Sequence, residues 1–260
     1  MKRVLGAGCS PLGALAIVGL LASVARAQTP AGGGAQGRGG QPATNLQVLP
    51  KDMPREQILQ TMQAFTQALG VQCSYCHVFE GRGGRNDMAS DEKPTKKTAR
   101  QMLILAREIN EKLPAVVSKA ADSTTRVGCM TCHRGVAIPK PLAQVLNEAV
   151  NTKGLPGAVA DYRDLRTRYF GSMAYDFSES GLISVAQAAI NADRADNALT
   201  WLNLNLEFYP KSARTYVVMS QAHQKKSDKD AAVRDLEKAV ELDPNNAQAK
   251  QQLQQLKGAQ

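Results

Sequence analysis

Side chains that ligate metals are scarce in this sequence, which has only three histidines and five cysteines in 260 residues. Four of the cysteines fall in two short segments, and the fifth, Cys9, precedes an apolar run near the N-terminus. We expect Cys9 to be removed together with that run, which leaves no cysteine for a disulfide framework. With so few histidines, a site that needs several imidazole ligands is hard to build from this chain.

Aromatic side chains are equally few, at 5% of the residues with a single tryptophan. The chain is nevertheless basic, with a formal net charge of +9 at pH 7. The surplus lies in residues 45–142, which have 14 Lys or Arg against 9 Asp or Glu. A nucleic-acid-binding surface would interleave such charges with aromatic residues, and that pattern is missing. We therefore predict no nucleic-acid partner, and interpret the basic region as a solvated surface or as a face that attracts an acidic partner.

Two pentapeptides in the central part of the chain share the pattern C-x-x-C-H. They are Cys73-Ser74-Tyr75-Cys76-His77 and Cys129-Met130-Thr131-Cys132-His133. Two cysteines at this spacing can form thioethers with the two vinyl groups of one haem, and the adjoining histidine then reaches the iron. A zinc site or a thioredoxin-like pair also uses C-x-x-C, but zinc would leave both adjoining histidines unexplained. The motifs thus predict two covalently attached c-type haems, with His77 and His133 as proximal iron ligands.

The second axial ligand of each iron is expected to be methionine. The one histidine outside the motifs, His223, lies far along the chain in a different kind of segment, so ligation of either iron by two histidines is hard to build. Five methionines of the haem region are candidates: Met53, Met62, Met88, Met102 and Met130. Met130 lies inside the second motif, where it cannot easily reach across its own haem.

Two predicted helices distinguish among these methionines. Met62 lies on the apolar stripe of a helix predicted over residues 54–69, for which Gly70 is a plausible left-handed C-cap. Met102 lies on the stripe of a second helix, predicted over residues 94–113. These positions favour Met62 and Met102 as iron ligands, although core packing is the alternative role of each.

The first 27 residues have the organisation of an export signal. Lys2 and Arg3 form a charged start, residues 12–21 an apolar run, and residues 25–27 an A-x-A cleavage site. We predict a cleaved, periplasmic or otherwise exported protein, with an uncleaved membrane anchor as the alternative. The Gly- and Pro-rich residues 28–44 have no apolar periodicity and predict a disordered linker.

Four segments around the two motifs match one known family when they are taken together. They read LGVQCSYCH at residues 69–77, KTARQM at 97–102, REIN at 107–110 and TCHRG at 131–135. In these segments the chain resembles the cytochrome c subunit of photosynthetic reaction centres, over residues 45–142. The resemblance implies haems built from a helix, a turn and C-x-x-C-H, with Met62 and Met102 as sixth ligands. The reaction-centre member of the family has four haems, whereas this chain has motifs for one pair.

The C-terminal part contains a repeat with a period of 34 residues. Asp196, Ala198, Leu202, Glu207 and Pro210 recur as Asp230, Ala232, Leu236, Glu241 and Pro244. This is the period of the tetratricopeptide repeat, in which helix pairs stack on their neighbours. We predict a helical connector over residues 143–177, and two such repeats with a capping helix over residues 178–257. The first repeat departs from the pattern at Asn205, where a small residue is expected.

The combined features predict an all-α protein, with a dihaem cytochrome c domain over residues 45–142 followed by a short domain of helical repeats. The predicted function is electron transfer rather than enzymatic catalysis. The repeats would dock the protein to a redox partner, such as a membrane-bound respiratory or photosynthetic complex. A dihaem enzyme such as a peroxidase is one alternative, and it would need an iron with an open coordination site. A scaffold subunit of an exported redox complex is the other.

Overall fold

The computed structural model describes residues 43–258, and the predicted export signal and nearly all of the predicted linker lie outside them. Helices make up most of the described residues, which confirms the all-α fold class. In chain order they are α1 (Arg55–Leu69), α2 (Pro94–Val116), α3 (Cys129–His133), α4 (Leu142–Tyr169), α5 (Glu179–Asn191), α6 (Ala195–Phe208), α7 (Ala213–Lys225), α8 (Lys229–Leu242) and α9 (Ala247–Gly258). The strands β1 (Val78–Phe79) and β2 (Asn86–Asp87) pair antiparallel. Among residues 43–258, no helix combines the length and the apolar character that a membrane span requires.

Helix α1 ends where its sequence predicts, whereas α2 does not. Gly70 follows α1 in a left-handed conformation (φ 65°), and its N–H donates to the carbonyl of Thr66. The prediction that the second helix stops at residue 113 is wrong, because Pro114 lies inside α2 and the helix continues to Val116. Pro114 removes the one N–H that would donate to the carbonyl of Asn110, but later N–H groups still close the last turn, as that of Val117 does with the carbonyl of Leu113 at 3.0 Å.

Helix α4 consists of two segments on either side of a break at Gly154. This glycine has φ 73° and ψ 173°, far from helical values, and Pro156 begins the second segment. The sequence Gly-Leu-Pro-Gly at residues 154–157 predicts a break here, and the structure confirms it. Leu146 in the first segment and Tyr162 in the second are both buried in the main core, so both segments contribute to one apolar layer.

Helices α5 to α9 repeat at the interval that the sequence predicts. Helices α5, α7 and α9 begin at Glu179, Ala213 and Ala247, and α6 and α8 begin at Ala195 and Lys229. Each start lies 34 residues after the equivalent one before it, as does each member of the sequence repeat. Helix α5 packs on α6, α6 on α7 and α7 on α8. The 34-residue period is thus a period of stacked helix pairs.

Asn205, the residue at which the first repeat departs from its pattern, is fully buried in α6. Its Nδ2 donates to the carbonyl of Glu179 at 3.1 Å and to Oγ1 of Thr215 at 2.8 Å. The side chain therefore connects the first turns of α5 and α7. A hydrogen-bonded amide replaces the close apolar contact that a small residue would make at this position.

The hydrophobic core lies almost entirely in residues 142–258, slightly more than half of the described chain. Its largest fully buried apolar side chains are Trp201, Tyr162, Leu146, Leu182, Leu202 and Leu236. Within residues 43–141, only Ala68 and Val78 are buried apolar residues. The part of the chain that contains both C-x-x-C-H motifs therefore has almost no core made of its own side chains.

Candidate haem-binding site

The first motif forms a tight turn directly after α1. Residues 73–75 make a short 3-10 turn, and the N–H of His77 donates to the carbonyl of Cys73 at 3.0 Å. Cys73 is exposed, Cys76 is half-buried, and both thiols are free. The Nδ1 atom of His77 lies 2.9 Å from the carbonyl oxygen of Met88, which follows the β1–β2 hairpin. The hairpin thus returns the chain to support the histidine ring.

The second motif is helix α3 itself. The N–H of Gly128 donates to Oγ1 of Thr131 at 3.0 Å, and the N–H of Thr131 donates back to the Gly128 carbonyl at 3.1 Å. Arg134 ends the helix with a left-handed backbone (φ 51°). The turn that follows places the carbonyl oxygen of Val136 3.0 Å from Nδ1 of His133. Cys129 is half-buried, Cys132 is exposed, and both thiols are free.

Both motif histidines have the arrangement that an axial haem ligand needs. A carbonyl oxygen can only accept a hydrogen bond, so each bond assigns the proton to Nδ1 and leaves the lone pair of Nε2 for the iron. Burial lowers the pKa of His77 below its ordinary value of 6.5, which favours the neutral ring that a metal requires. The residues of both motifs therefore fit covalently attached haem.

Exposed apolar side chains concentrate around the motifs. Helix α2 has 23 residues, and none of its side chains is fully buried. Met102, Leu105 and Ile109 share one of its faces, and they are 44%, 46% and 38% exposed. Apolar surface of this extent marks a binding site for another group rather than a solvated face. A haem is large and mostly apolar, so this face fits a role as its binding surface.

Helix α2 is connected by hydrogen bonds to the chain at both motifs. In its first turn, Oγ1 of Thr95 donates to the carbonyl of Tyr75, inside the first motif, at 2.6 Å. In its second half, Nδ2 of Asn110 donates to the carbonyl of Val127 at 2.8 Å, and the N–H of Val127 donates back to Oδ1 at 2.7 Å. Since Val127 lies just ahead of the second motif, one helix fixes the backbone at both motifs.

The C-terminus of α1 contacts the turn that follows the second motif. The N–H of Gly135 donates to the carbonyl of Ala68 at 2.9 Å. The carbonyl oxygen of Gly135 lies so close to Gly70 that a β-carbon at Gly70 would overlap it. The second motif therefore packs on the helix that leads into the first, and the two motifs form one unit.

Basic residues of α2 hold the loop that supports His77. The Nζ atom of Lys96 donates to the carbonyls of Met88 and Ala89 at 2.9 Å and to that of Ser90 at 2.8 Å. Asp91 pairs with Arg100 at 2.9 Å and with Lys96 at 3.3 Å. These contacts fix the Met88 carbonyl, and no sequence motif predicts them.

Asp91 is the acidic counterpart of these basic residues. The Arg100 guanidinium, followed by the Asn45 amide, holds the pKa of the Asp91 carboxyl well below its usual range. Arg107, two turns further along the same side of α2, donates to the carbonyl of Val48 at 3.3 Å. The sequence indicates only that basic residues at 96, 100 and 107 share one side of a helix, because they are spaced by four and seven residues. Their acceptors are mostly backbone carbonyls, which have no sequence signature.

The methionines predicted as sixth ligands lie on the helices predicted for them. Met62 is half-buried on α1, and Met102 lies on the exposed apolar face of α2. Among the other candidates, Met53 is half-buried ahead of α1, and Met88 and Met130 are exposed. Ligation by Met62 and Met102 stays a prediction, because the fold places several methionines around the motifs.

The geometry of the two motifs defines the class to which this protein belongs, the c-type cytochromes. Residues 21–239 match the family described as "Photosynthetic reaction centre cytochrome C subunit". The chain belongs to that family, whose members carry covalently bound haem and transfer electrons.

Two curated relatives illustrate the extent of the likeness. The "Photosynthetic reaction center cytochrome c subunit" of Rubrivivax gelatinosus is 30% identical over 107 residues, which cover 38% of this chain and 28% of the relative. "Cytochrome c-554" of Chloroflexus aurantiacus is 41% identical over 90 residues, which cover 34% of this chain and 20% of the relative. The chain thus spans 28% or less of the length of these relatives.

One solved structure is similar over a larger share of the chain. It is described as "MamA RS-1 ArsTM double mutant", and the similarity covers 64% of this chain and 85% of that one at 16% identity. Its TM-score of 0.34 is too low to support a conclusion about fold or function.

Proposed function

We propose that this chain is an exported electron-transfer protein that carries two covalently attached c-type haems, one at each C-x-x-C-H motif. The observation that supports this best is the matched arrangement of His77 and His133, each of which has Nδ1 bonded to a backbone carbonyl. Bound haem iron supplies one-electron oxidation and reduction. The protein itself binds the haems, orients their ligands and excludes water, and converts no substrate.

The proposed haem ligands come from both motifs and from the helix that precedes each. Cys73 and Cys76 would hold one haem through thioethers, and Cys129 and Cys132 would hold the other. His77 and Met62 would ligate the first iron, and His133 and Met102 the second. Methionine opposite histidine raises the reduction potential relative to two histidines, so the protein is suited to pass electrons towards an oxidant. The close contact between Gly70 and Gly135 joins the two motifs in one structural unit.

The stacked helices α5 to α9 are proposed to be a tetratricopeptide-like module that docks a redox partner. The 34-residue period of the helix starts supports this assignment. A shallow groove between α5 and α7 is lined by Ile183, Gln187, Arg214 and Val218, among others. Helical repeats use such surfaces to bind proteins or peptides. The docking role is tested by comparing pull-down with the intact chain and with a chain that carries Gln187→Ala and Arg214→Ala.

The proposed location and partner follow from the N-terminal sequence and from the family. The charged start, apolar run and A-x-A site of residues 1–27 are typical of export. Members of the family are named for their association with photosynthetic reaction centres. A membrane-bound respiratory or photosynthetic complex is therefore the proposed partner class.

The number of haems is the first prediction. Pyridine haemochrome analysis of the exported protein is expected to give two c-type haems per chain, because each motif has its own histidine with a free Nε2. A variant with Cys129→Ala and Cys132→Ala should keep one covalent haem. A loaded wild-type protein with a single haem would contradict the dihaem assignment.

The sixth ligands are the second prediction. Met62→Leu and Met102→Leu should each abolish one of two methionine-to-iron charge-transfer signals and convert one haem from low spin to high spin. Leucine keeps most of the side-chain volume, so packing changes little. Met88→Leu is the matched control, because Met88 is also exposed and close to a motif, and it should leave both signals intact. If both signals persist in Met62→Leu, Met62 is not a ligand.

A further inference from the structure

The two motif histidines have equivalent hydrogen bonds but different surroundings. His77 contacts the Met88 carbonyl at 2.9 Å, and His133 contacts the Val136 carbonyl at 3.0 Å. The Met88 carbonyl also accepts a hydrogen bond from the Lys96 ammonium at 2.9 Å. In the part of the chain that the structure describes, the Val136 carbonyl has no charged donor of this kind. The carbonyl that accepts from His77 therefore also contacts a positive charge, whereas the carbonyl that accepts from His133 does not.

Lys96 is a firmly held cation. Its side chain is only 11% exposed, and Nζ bonds three successive carbonyls as well as Asp91. A charge held in so dry a position is weakly screened by water and salt. It therefore acts on its neighbours at all ordinary ionic strengths.

Other charges near the two histidines do not cancel this difference. Lys93 and Arg100 also act on His77 as positive charges. Among residues 43–258, Asp91 is the one carboxylate that pairs with Lys96 and Arg100. Near His133, the Arg134 side chain extends instead to the carbonyls of Thr131 and Met173. The proximal side of the first haem is thus the more positive of the two.

The charge of Lys96 has two effects on a haem bound at the first motif. A carbonyl oxygen that also accepts from an ammonium is a weaker acceptor for the Nδ1–H of His77, so the imidazole gains less negative charge and becomes a weaker electron donor to iron. A nearby positive charge also disfavours the more positive, oxidised iron. Both effects raise the reduction potential of that haem relative to the other.

We propose that Lys96 is a positioning residue that makes the haem at residues 73–77 the higher-potential member of the pair, and hence the electron-accepting end. This inference rests on the proposed dihaem function. Electrons that enter at the second motif would collect at the first, next to α1 and the β1–β2 hairpin.

A redox titration of the loaded full-length chain tests the proposal without prior assignment of the two haems. The titration should resolve two one-electron components. In Lys96→Gln the equilibrium constant for reduction of the higher-potential haem should fall by about tenfold, which lowers its reduction potential by about 59 mV for a one-electron couple. The potential of the other haem should not change. Lys96→Arg, which keeps the charge, should retain the wild-type potentials.

Lys97→Gln is the matched control, because it removes one positive charge from the exposed neighbouring position of the same helix. It should move either component by less than about twofold, since exposed charges are screened. A fall in the lower component of Lys96→Gln, or equal falls in both, would overturn the proposal. A wild-type titration with only one component would instead refute the dihaem function, so the two failures can be told apart.

A measurement on the wild-type protein keeps the proposal testable if Lys96→Gln does not fold. In the reduced, isotopically labelled protein, the Nδ1–H proton of His77 should resonate upfield of that of His133, because its hydrogen bond is weaker. Equal shifts or the reverse order would exclude an effect of Lys96 on the histidine.

Discussion

A chain that carries no haem is expected to lose helices α1, α2 and α3 while α4 to α9 stay folded. The three lost helices have 15, 23 and 5 residues, and only Ala68 and Val78 are buried apolar residues in this part of the protein. Most of the stability of a protein helix comes from packing of its apolar face, and without haem these helices have almost no buried apolar contacts. Circular dichroism would measure the loss of helix, and hydrogen exchange of the backbone amides would show which helices are lost.

Two routes to the haem-free chain should give the same result. One is the variant in which Cys73, Cys76, Cys129 and Cys132 are all alanine. The other is the natural sequence produced without haem attachment. Since none of these cysteines is fully buried, their replacement alone costs little packing energy. Protected amides throughout α2 in both preparations would show that the region folds without haem.

Gly70→Ala is expected to lower the free energy of unfolding of the loaded protein by about 2–4 kcal/mol, the sum of backbone strain and steric overlap. Gly70 has φ 65°, where a β-carbon is strained, and its β-carbon would overlap the carbonyl oxygen of Gly135. Either α1 or the turn after the second motif must move to accommodate it. Chemical denaturation followed through haem absorbance measures the change.

Gly83→Ala separates the two contributions to this loss. Gly83 also has a positive φ, of 88°, but its added β-carbon would meet no atom within 4 Å. It should therefore cost only the backbone strain, about 1–2 kcal/mol. Equal losses for the two variants would mean that the contact between Gly70 and Gly135 adds nothing to stability.

Much of the fold is predictable from the sequence because its signals are local. The end of α1 at Gly70, the break in α4 at Gly154 and the 34-residue interval all depend on residue type and spacing along the chain. The end of α2 was predicted wrongly, since a proline stops a helix only when the lost bond is not compensated nearby. The β1–β2 hairpin was not predicted, because strands of two residues are too short to show a period.

The candidate site is predictable only where covalent chemistry requires a fixed spacing. Cysteines three apart with an adjoining histidine follow from the haem itself. The support of His77 by the Met88 carbonyl, and of that carbonyl by Lys96, involves backbone atoms that any residue would provide. The approach of Gly70 to Gly135 depends on the packing of distant segments. Such contacts can be read only from the folded chain.

The connections of α2 to the two motifs constrain the length of the chain between them. Thr95 and Asn110 each hold a backbone carbonyl at one motif, and fifteen helical residues separate them by about 22 Å. Inserting a single residue between them would turn Asn110 by about 100° and advance it by about 1.5 Å, away from Val127. The exposed polar positions of this interval can accept many substitutions, but an insertion or deletion would shift one motif relative to the other.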